Sequence, residues 1–279
     1  MELKFKKYSG AGNDFVLIDQ SINCGINLTS EVIQKICDRR NGVGADGILF
    51  ITESNTADFE LYYYNADGSL GSLCGNGSRC AIKYAFLSKK FDGFNTQFLC
   101  GDKLYTGEVF ENGNVKFYLQ DPTDFKENLK IEISDNLINA AFINTGSPHL
   151  IININEFSDV KEGKIKFNEF PVYEYGKMLR YHKLFEPKGT NVNFIEINED
   201  VIYIRTYERG VEAETLACGT GSVASALICS VTYGMQSPIK LITRGNDELT
   251  VEFKKENNSF NNIALVGPAK EIFSGIIYI

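Results

Sequence analysis

The stretch "LACGTGSVASALI", residues 216–228, places a cysteine directly before a Gly-Thr-Gly turn that opens onto a run of small and apolar residues. A second stretch, "CGNGSRCAIKYAFLS", begins at Cys74, and Cys218 follows that cysteine by 144 positions, close to half of the 279-residue chain. Both stretches read Cys-Gly-x-Gly-Ser followed by a helical pattern. Upstream of each, further blocks recur in the same order: "YYYNADG" at 62 with "IRTYERG" at 204, "GADGILFI" near 44 with "GTNVNFIEI" near 189, and "GNDFVLI" at 12 with "GSPHLII" at 146. A period this long is not that of a solenoid and reads instead as two duplicated domains.

The helix after Cys218 is apolar on nearly every side, with Val223, Ala224, Ala226, Leu227, Ile228 and Val231. Such a helix has to be buried all round. The one after Cys74 carries Ala81, Ile82, Ala85, Phe86 and Leu87, again too wide for a surface stripe. Around these lie short aromatic and β-branched runs separated by Gly, Asn and Asp, among them "FVLID", "GILFIT", "FELYYY", "HLIININ", "VIYIRTY" and "ELTVEF". Helical patterns cover 30–39, with Ser30 as N-cap, 77–89, 221–232 and, more weakly, 173–182. The expected class is α+β: two pseudo-symmetric domains, each a β-sheet shell around a central helix. Residues 1–117 with 267–279 would form the domain carrying Cys74, and 118–266 the domain carrying Cys218.

A net charge of −8 argues against a surface that tracks phosphates, so nucleic acid is not expected as a partner. No leader-like or membrane-spanning apolar run is evident, and the expected location is the cytoplasm. Seven cysteines without regular spacing read as thiols rather than a disulfide framework. With no Cys-x-x-Cys and only two histidines, His149 and His182, no metal site is expected.

Unpaired amides and the macrodipole make a helix N-terminus favourable for negative charge, and a thiol there can be acidified from about 8.5 into the range of about 3.5–7.5. Either cysteine alone would read as core filling, because cysteine is among the most buried residue types. The pair points elsewhere. If the halves are related by a pseudo-twofold axis, the two helix N-termini can face each other, with one thiol on each side of a bound carbon. Epimerisation α to a carboxylate needs that arrangement, one group removing a proton while the other delivers one to the opposite face. Amides of the glycine turns would hold the carboxylate as charge develops.

The blocks "KYSGAGNDFVLID", "YNADGSLGSLCGNGSRC", "GSPHLI", "GTNVNFIEI" and "YERGVEAETLACGTG", with the closing "VGPAKEIFSGII", resemble the diaminopimelate epimerase family over essentially the whole chain. The resemblance implies that family's fold, a homodimer, and interconversion of LL- and meso-diaminopimelate without a cofactor, serving lysine and peptidoglycan precursor synthesis. By matching motif, it makes Cys74 and Cys218 the acid and base, helped by His149 and Glu208. It assigns Gly75, Asn76, Gly219 and Thr220 to the reacting carboxylate. Asn13, Asn65, Asn191, Glu208 and Arg209 would read the distal amino-acid head, Arg209 with a bidentate grip on its carboxylate.

The same residues have plainer readings. Asn65 and Asp67 would serve as turn formers, Glu208 and Arg209 as a solvated pair, His149 as a loop histidine and His182 as a structural one; Cys80 and Cys229 read as core. Two departures from the family pattern stand out: Ser147 where the family commonly has Asn before Pro-His, and "ERGVEAET", one residue longer than usual. Competing assignments are a proline racemase or hydroxyproline epimerase, whose first cysteine loop typically has His where Asn76 stands, and phenazine-biosynthesis-like isomerases, which lack the cysteine pair. A non-enzymatic phosphate-binding module is a third, weakened by the acidic charge and the missing Lys of a P-loop.

Overall fold

The computed structural model describes residues 2–71, 73–133, 136–256 and 259–279, so Ser72 of the first cysteine block lies outside the described residues. In chain order the elements are β1 (Glu2–Gly10), β2 (Asn13–Asp19), α1 (Ser30–Cys37), β3 (Gly47–Thr52), β4 (Phe59–Asn65), α2 (Gly75–Leu87), β5 (Asn95–Cys100), β6 (Lys103–Val109), β7 (Val115–Tyr118) and β8 (Thr123–Ile133). They continue with β9 (Asn136–Asn144), β10 (Pro148–Asn153), α3 (Ser158–Lys161), α4 (Val172–Arg180), β11 (Asn191–Asn198), β12 (Val201–Glu208), β13 (Ala213–Thr215), α5 (Gly219–Thr232), β14 (Ile239–Ile242), β15 (Glu248–Glu256), β16 (Ser259–Gly267) and β17 (Lys270–Tyr278). Two compact units result, Met1–Tyr118 with Val266–Ile279, and Leu119–Leu265.

The first unit pairs its strands in the order β17, β1, β2, β3, β4, β5, β6, β7, with β2–β3 and β4–β5 parallel and the rest antiparallel. The second runs β8, β9, β10, β11, β12, β14, β15, with β10–β11 and β12–β14 parallel. The sense of pairing is the same at each step, and β13 is an addition, hairpinned onto β12. Register identifies equivalent residues. Phe15 lies opposite Gly47 and Ile48 opposite Tyr64, as His149 lies opposite Asn191 and Val192 opposite Tyr207. Gly47 therefore corresponds to Asn191, one position away from where similarity of letters had set "GADG" on "GTNV".

Each unit encloses one helix. α2 packs against β1, β2, β3, β4, β6 and β7, and α5 against β9, β10, β11, β12, β14 and β15. Val223, Ala224, Ala226 and Leu227 have no exposed surface. A fully buried Val or Leu contributes about 1.5–3 kcal/mol, so the helix is held by its surroundings more than by propensity. Both central helices begin two residues before the patterned stretch, so each cysteine is the N-cap. At α1 the N-cap is Thr29 rather than Ser30: the Thr29 hydroxyl accepts from the Val32 amide at 3.4 Å.

Enclosure demands close approach at the third residue of each central helix. A Cβ on Gly77 would lie 2.9 Å from Leu49, and one on Gly221 would lie 2.4 Å from Asn193 Oδ1. Leu49 and Asn193 are equivalent by register, so the second glycine of each Cys-Gly-x-Gly is spent on helix–strand packing. Outside the central helices, the first unit has a core of Leu3, Val16, Ile18, Ile33, Ile36 and Ile48. The second has an aromatic layer, Phe157, Phe167, Phe170 and Phe194, under α4. Buried Arg205 ties this layer down, pairing with Glu214 at 2.6 and 2.7 Å while donating to the carbonyls of Phe167 and Phe170. Among the described residues no helix is long and apolar enough to cross a membrane.

Replacing Gly221 with Ala puts a methyl where Asn193 stands. The expected loss is about 1–3 kcal/mol of unfolding free energy, seen as a lower urea midpoint; an unmoved midpoint would mean the strand yields freely.

Candidate active site

The same corner of each sheet carries the candidate residues. In the first unit β2 starts at Asn13, its parallel neighbour β3 starts at Gly47, the antiparallel β4 ends at Asn65, and α2 is capped by Cys74. In the second, β10 starts at Pro148, β11 at Asn191, β12 ends at Glu208, and α5 is capped by Cys218. Starts of parallel strands and the end of an antiparallel one lie at one edge of a sheet, and a helix N-terminus brings backbone amides to it.

At the first corner, the β1–β2 turn runs through Ala11 and Gly12 with φ of 57° and 96°, the left-handed pair of a tight hairpin. It delivers Asn13 to Asn76: the Asn76 amide donates to Asn13 Oδ1, and Asn13 Nδ2 donates to Asp46 at 3.1 Å. Beneath them Arg79, with no exposed surface, donates to Asn76 Oδ1 at 2.9 Å and to the Gly75 carbonyl at 3.3 Å. Asp14 continues the network, paired with Lys7 and Arg39, each at 2.7 Å. Burial pushes the Asp14 carboxyl up, but the hydrogen bonds from Arg39 and Lys7 outweigh it and hold it at about 2. Asn65 sits in a turn, donating to the Ser69 hydroxyl at 3.0 Å, while Asp67 accepts from the Ser69 amide at 2.9 Å. Cys74 is half-buried, and its sulfur accepts from the Gly77 amide at 3.4 Å.

At the second corner, Cys218 is 6% exposed and its Sγ lies 3.6 Å from Thr220 Oγ1. Thr220 Oγ1 is 2.9 Å from His149 Nε2, and Ser147 Oγ is 2.9 Å from the same nitrogen and 3.2 Å from Thr220. On the far side of the ring, Asn193 lies 3.1 Å from His149 Nδ1. Burial pushes the His149 imidazole down to about 3, the Arg209 charge adding to it, so the ring is neutral near pH 7. Asn191 spans the corner, donating to the Pro148 carbonyl at 2.9 Å and accepting from the Arg209 amide at 2.8 Å. The extra residue of "ERGVEAET" is absorbed in the β12–β13 hairpin, where Gly210 and Glu212 take φ of 93° and 58°. Glu208 stays at the end of β12, and Glu212 accepts from Arg180 at 3.1 Å.

Of the other thiols, Cys37, Cys80 and Cys229 are buried as core, Cys100 is half-buried and Cys24 is exposed. Burial pushes Cys37 up to about 11 and Cys80 and Cys229 each to about 12. His182 caps a short turn, its Nδ1 accepting from the Leu184 amide at 3.3 Å. Among the described residues no group of His, Cys, Asp and Glu gathers as a metal site would need. Sequence reading missed Arg79, Asp46 and Asn193. A cation in the second turn of an otherwise buried helix, and an Asn inside the apolar run "NVNFIEI", were the signals available.

The family model for diaminopimelate epimerase matches residues 5–123 and 141–272. A curated diaminopimelate epimerase from Chlorobaculum tepidum is 40% identical over 96% of this chain and 99% of its own. Among solved structures, a phenazine biosynthesis protein of the PhzF family from Bacillus anthracis superposes with a TM-score of 0.74 at 17% identity, covering 100% of both chains. A hydroxyproline epimerase from Agrobacterium vitis, with trans-4-hydroxy-L-proline bound, superposes with 0.72 at 11%, covering 99% of this chain and 91% of that one. At those identities the structures share the fold.

The neutral ring of His149 has a consequence for stability. Its folded value lies below the unfolded histidine value of about 6.5. The contribution is therefore complete above about pH 6.5 and declines as pH falls toward 3. In His149→Gln the unfolding free energy should fall less steeply between pH 6 and 4, by up to about 1.4 kcal/mol per pH unit, in urea titrations across that range. Equal slopes would mean the folded ring titrates normally.

Proposed function

The chain belongs to the diaminopimelate epimerase family, and on that premise we propose that it interconverts LL- and meso-diaminopimelate by proton transfer through Cys74 and Cys218, without a cofactor. One cysteine as thiolate takes the α proton, and the other as thiol delivers a proton to the opposite face; the roles exchange when the reaction reverses. Amides of Gly75, Asn76, Gly219 and Thr220 meet the carboxylate as negative charge spreads onto it, the stabilisation that a helix N-terminus offers. Asn13, Asn65, Asn191, Glu208 and Arg209 read the distal head and so fix which of two similar centres reacts. His149 and Glu208 support thiol protonation.

One observation carries this reading: two sheets of the same pairing pattern each end a buried helix at the same corner with a cysteine as N-cap. The asparagine-rich surround of Cys74, with Arg79 behind it, suits an amino-acid carboxylate. The same reading extends to setting and assembly, a cytoplasmic homodimer serving lysine and cell-wall precursor synthesis. The thiols of Cys24, Cys37, Cys80, Cys100 and Cys229, none of them bridged, suit a reducing compartment. The apolar side chains of Ile272, Phe273, Ile276 and Tyr278, 47–73% exposed along β17, offer a surface for a second copy.

In deuterated water without pyridoxal phosphate, the protein should exchange the α hydrogen of LL-diaminopimelate and leave proline untouched. Cys74→Ala and Cys218→Ala should each lower epimerisation by at least about 10²–10⁴-fold with an unaltered circular dichroism spectrum. Exchange on proline alone, or full epimerisation by either variant, would overturn the reading.

A further inference from the structure

Asn193 is buried without exposed surface, and its amide is pinned at both ends. Its Oδ1 accepts from the Thr206 hydroxyl at 3.0 Å, and its Nδ2 donates to the Leu150 carbonyl at 3.0 Å. A carbonyl can only accept, so the atom facing Leu150 has to be the nitrogen. The remaining hydrogen of that nitrogen points to His149 Nδ1, 3.1 Å away. Nδ1 must then present its lone pair, and the proton of the neutral imidazole resides on Nε2. The ring's other face meets Thr220 and Ser147 as a donor.

We propose that Asn193 is a positioning residue for Cys218: by holding His149 in the Nε2–H tautomer, it leaves the Thr220 hydroxyl proton available to the cysteine sulfur. With Cys218 as thiolate, His149 Nε2–H and the Ser147 hydroxyl donate to Thr220 Oγ1, and the Thr220 O–H donates to Sγ across the 3.6 Å separation. With Cys218 as thiol, its S–H and the His149 Nε2–H both donate to Thr220 Oγ1, and the Thr220 O–H turns to Ser147 across 3.2 Å, where the serine oxygen also accepts from Asn191 Nδ2 at 3.4 Å. Rotation of two hydroxyls carries the group from one state to the other, and no proton moves on or off the ring. The opposite tautomer would set Nδ1–H against the Asn193 N–H and make Nε2 compete for the Thr220 proton. The depressed value of His149, caused by burial with Arg209 as the charge bearing on it, agrees with a ring that donates while neutral. The inference rests on the two-thiol reading only for the use to which the thiolate is put.

The chain has two histidines, so imidazole nitrogen NMR on the full-length protein resolves His149 once a His182→Gln sample assigns the other. His149 should show a protonated Nε2 and an unprotonated Nδ1, unchanged from pH 5 to 8. Carbon shifts of labelled cysteine then follow the titration of Cys218, with Cys74 as internal reference. Thr220→Val should raise the Cys218 value by about one pH unit, Thr220→Ser should restore it, and Asn193→Leu should move it the same way while His149 loses its single tautomer. A protonated Nδ1 on His149 in the unaltered protein would overturn the proposal, whether or not any variant folds. So would a Cys218 titration indifferent to Thr220→Val. None of these readouts requires turnover, whereas a failure of the two-thiol reading appears as epimerisation by a cysteine variant.

Discussion

A helix buried on nearly every side has to be enclosed, and enclosure sets the rest. For α2 and α5 to sit inside their sheets, the first turn must approach a strand more closely than a Cβ allows, at Leu49 in one unit and Asn193 in the other. That contact fixes where along the strand the helix begins, and strand register then fixes what stands beside its N-terminus. The beginnings of two parallel strands and the end of a third are brought to the amides by the same geometry. The residue at the N-cap is held with extended backbone, φ −108° at Cys74 and −122° at Cys218; the Cys74 sulfur meets the Gly77 amide, and the Cys218 sulfur lies beside the Thr220 hydroxyl. Packing, not the reaction, accounts for the position of both sulfurs.

On that shared frame the two cysteines have different neighbours. The residues equivalent by register to His149 and Asn193 are Phe15 and Leu49, both buried and apolar. Where one unit spends these inward positions on hydrophobic contact, the other has replaced both with a hydrogen-bonded pair. A single polar residue there would leave a buried group unmatched, at a cost of about 1–3 kcal/mol. With Thr206, Leu150, Ser147 and Thr220 around them, the ring nitrogens and the amide all find partners. Cys74 instead faces the Gly77 amide, with the buried guanidinium of Arg79 on the neighbouring Asn76.

The duplication, the enclosed helices and the residues at both corners were legible because each leaves a local trace: a repeated word, an all-round apolar pattern, a glycine at fixed spacing. Strands β1, β8 and β17 left less. β8 carries exposed charged residues along most of its length and β17 is exposed along most of its own, so neither shows the alternation of a half-buried strand. The partners that orient the site left almost none. Arg79 meets Asn76, which meets Asn13 sixty-three positions away, and Asn193 meets His149 at a separation of forty-four. The Asn193–His149 pair is set by the register of β10 against β11, which the one-position slip between "GADG" and "GTNV" hides, and the Asn13–Asn76 pair by where α2 begins beside β2.

Ser147 shows how the two kinds of information meet. From sequence it is a departure, a short hydroxyl where the related proteins commonly carry an amide. In the fold its oxygen is 2.9 Å from His149 and 3.2 Å from Thr220, inside the hydrogen-bonded group that borders Cys218. A hydroxyl can donate and accept through one atom, and can rotate between the two without displacing its neighbours. An amide of fixed orientation at the same place would have to choose. The substitution thus belongs with the neutral histidine: a ring that keeps its proton on Nε2 needs beside it groups able to turn, and Ser147 and Thr220 are both of that kind.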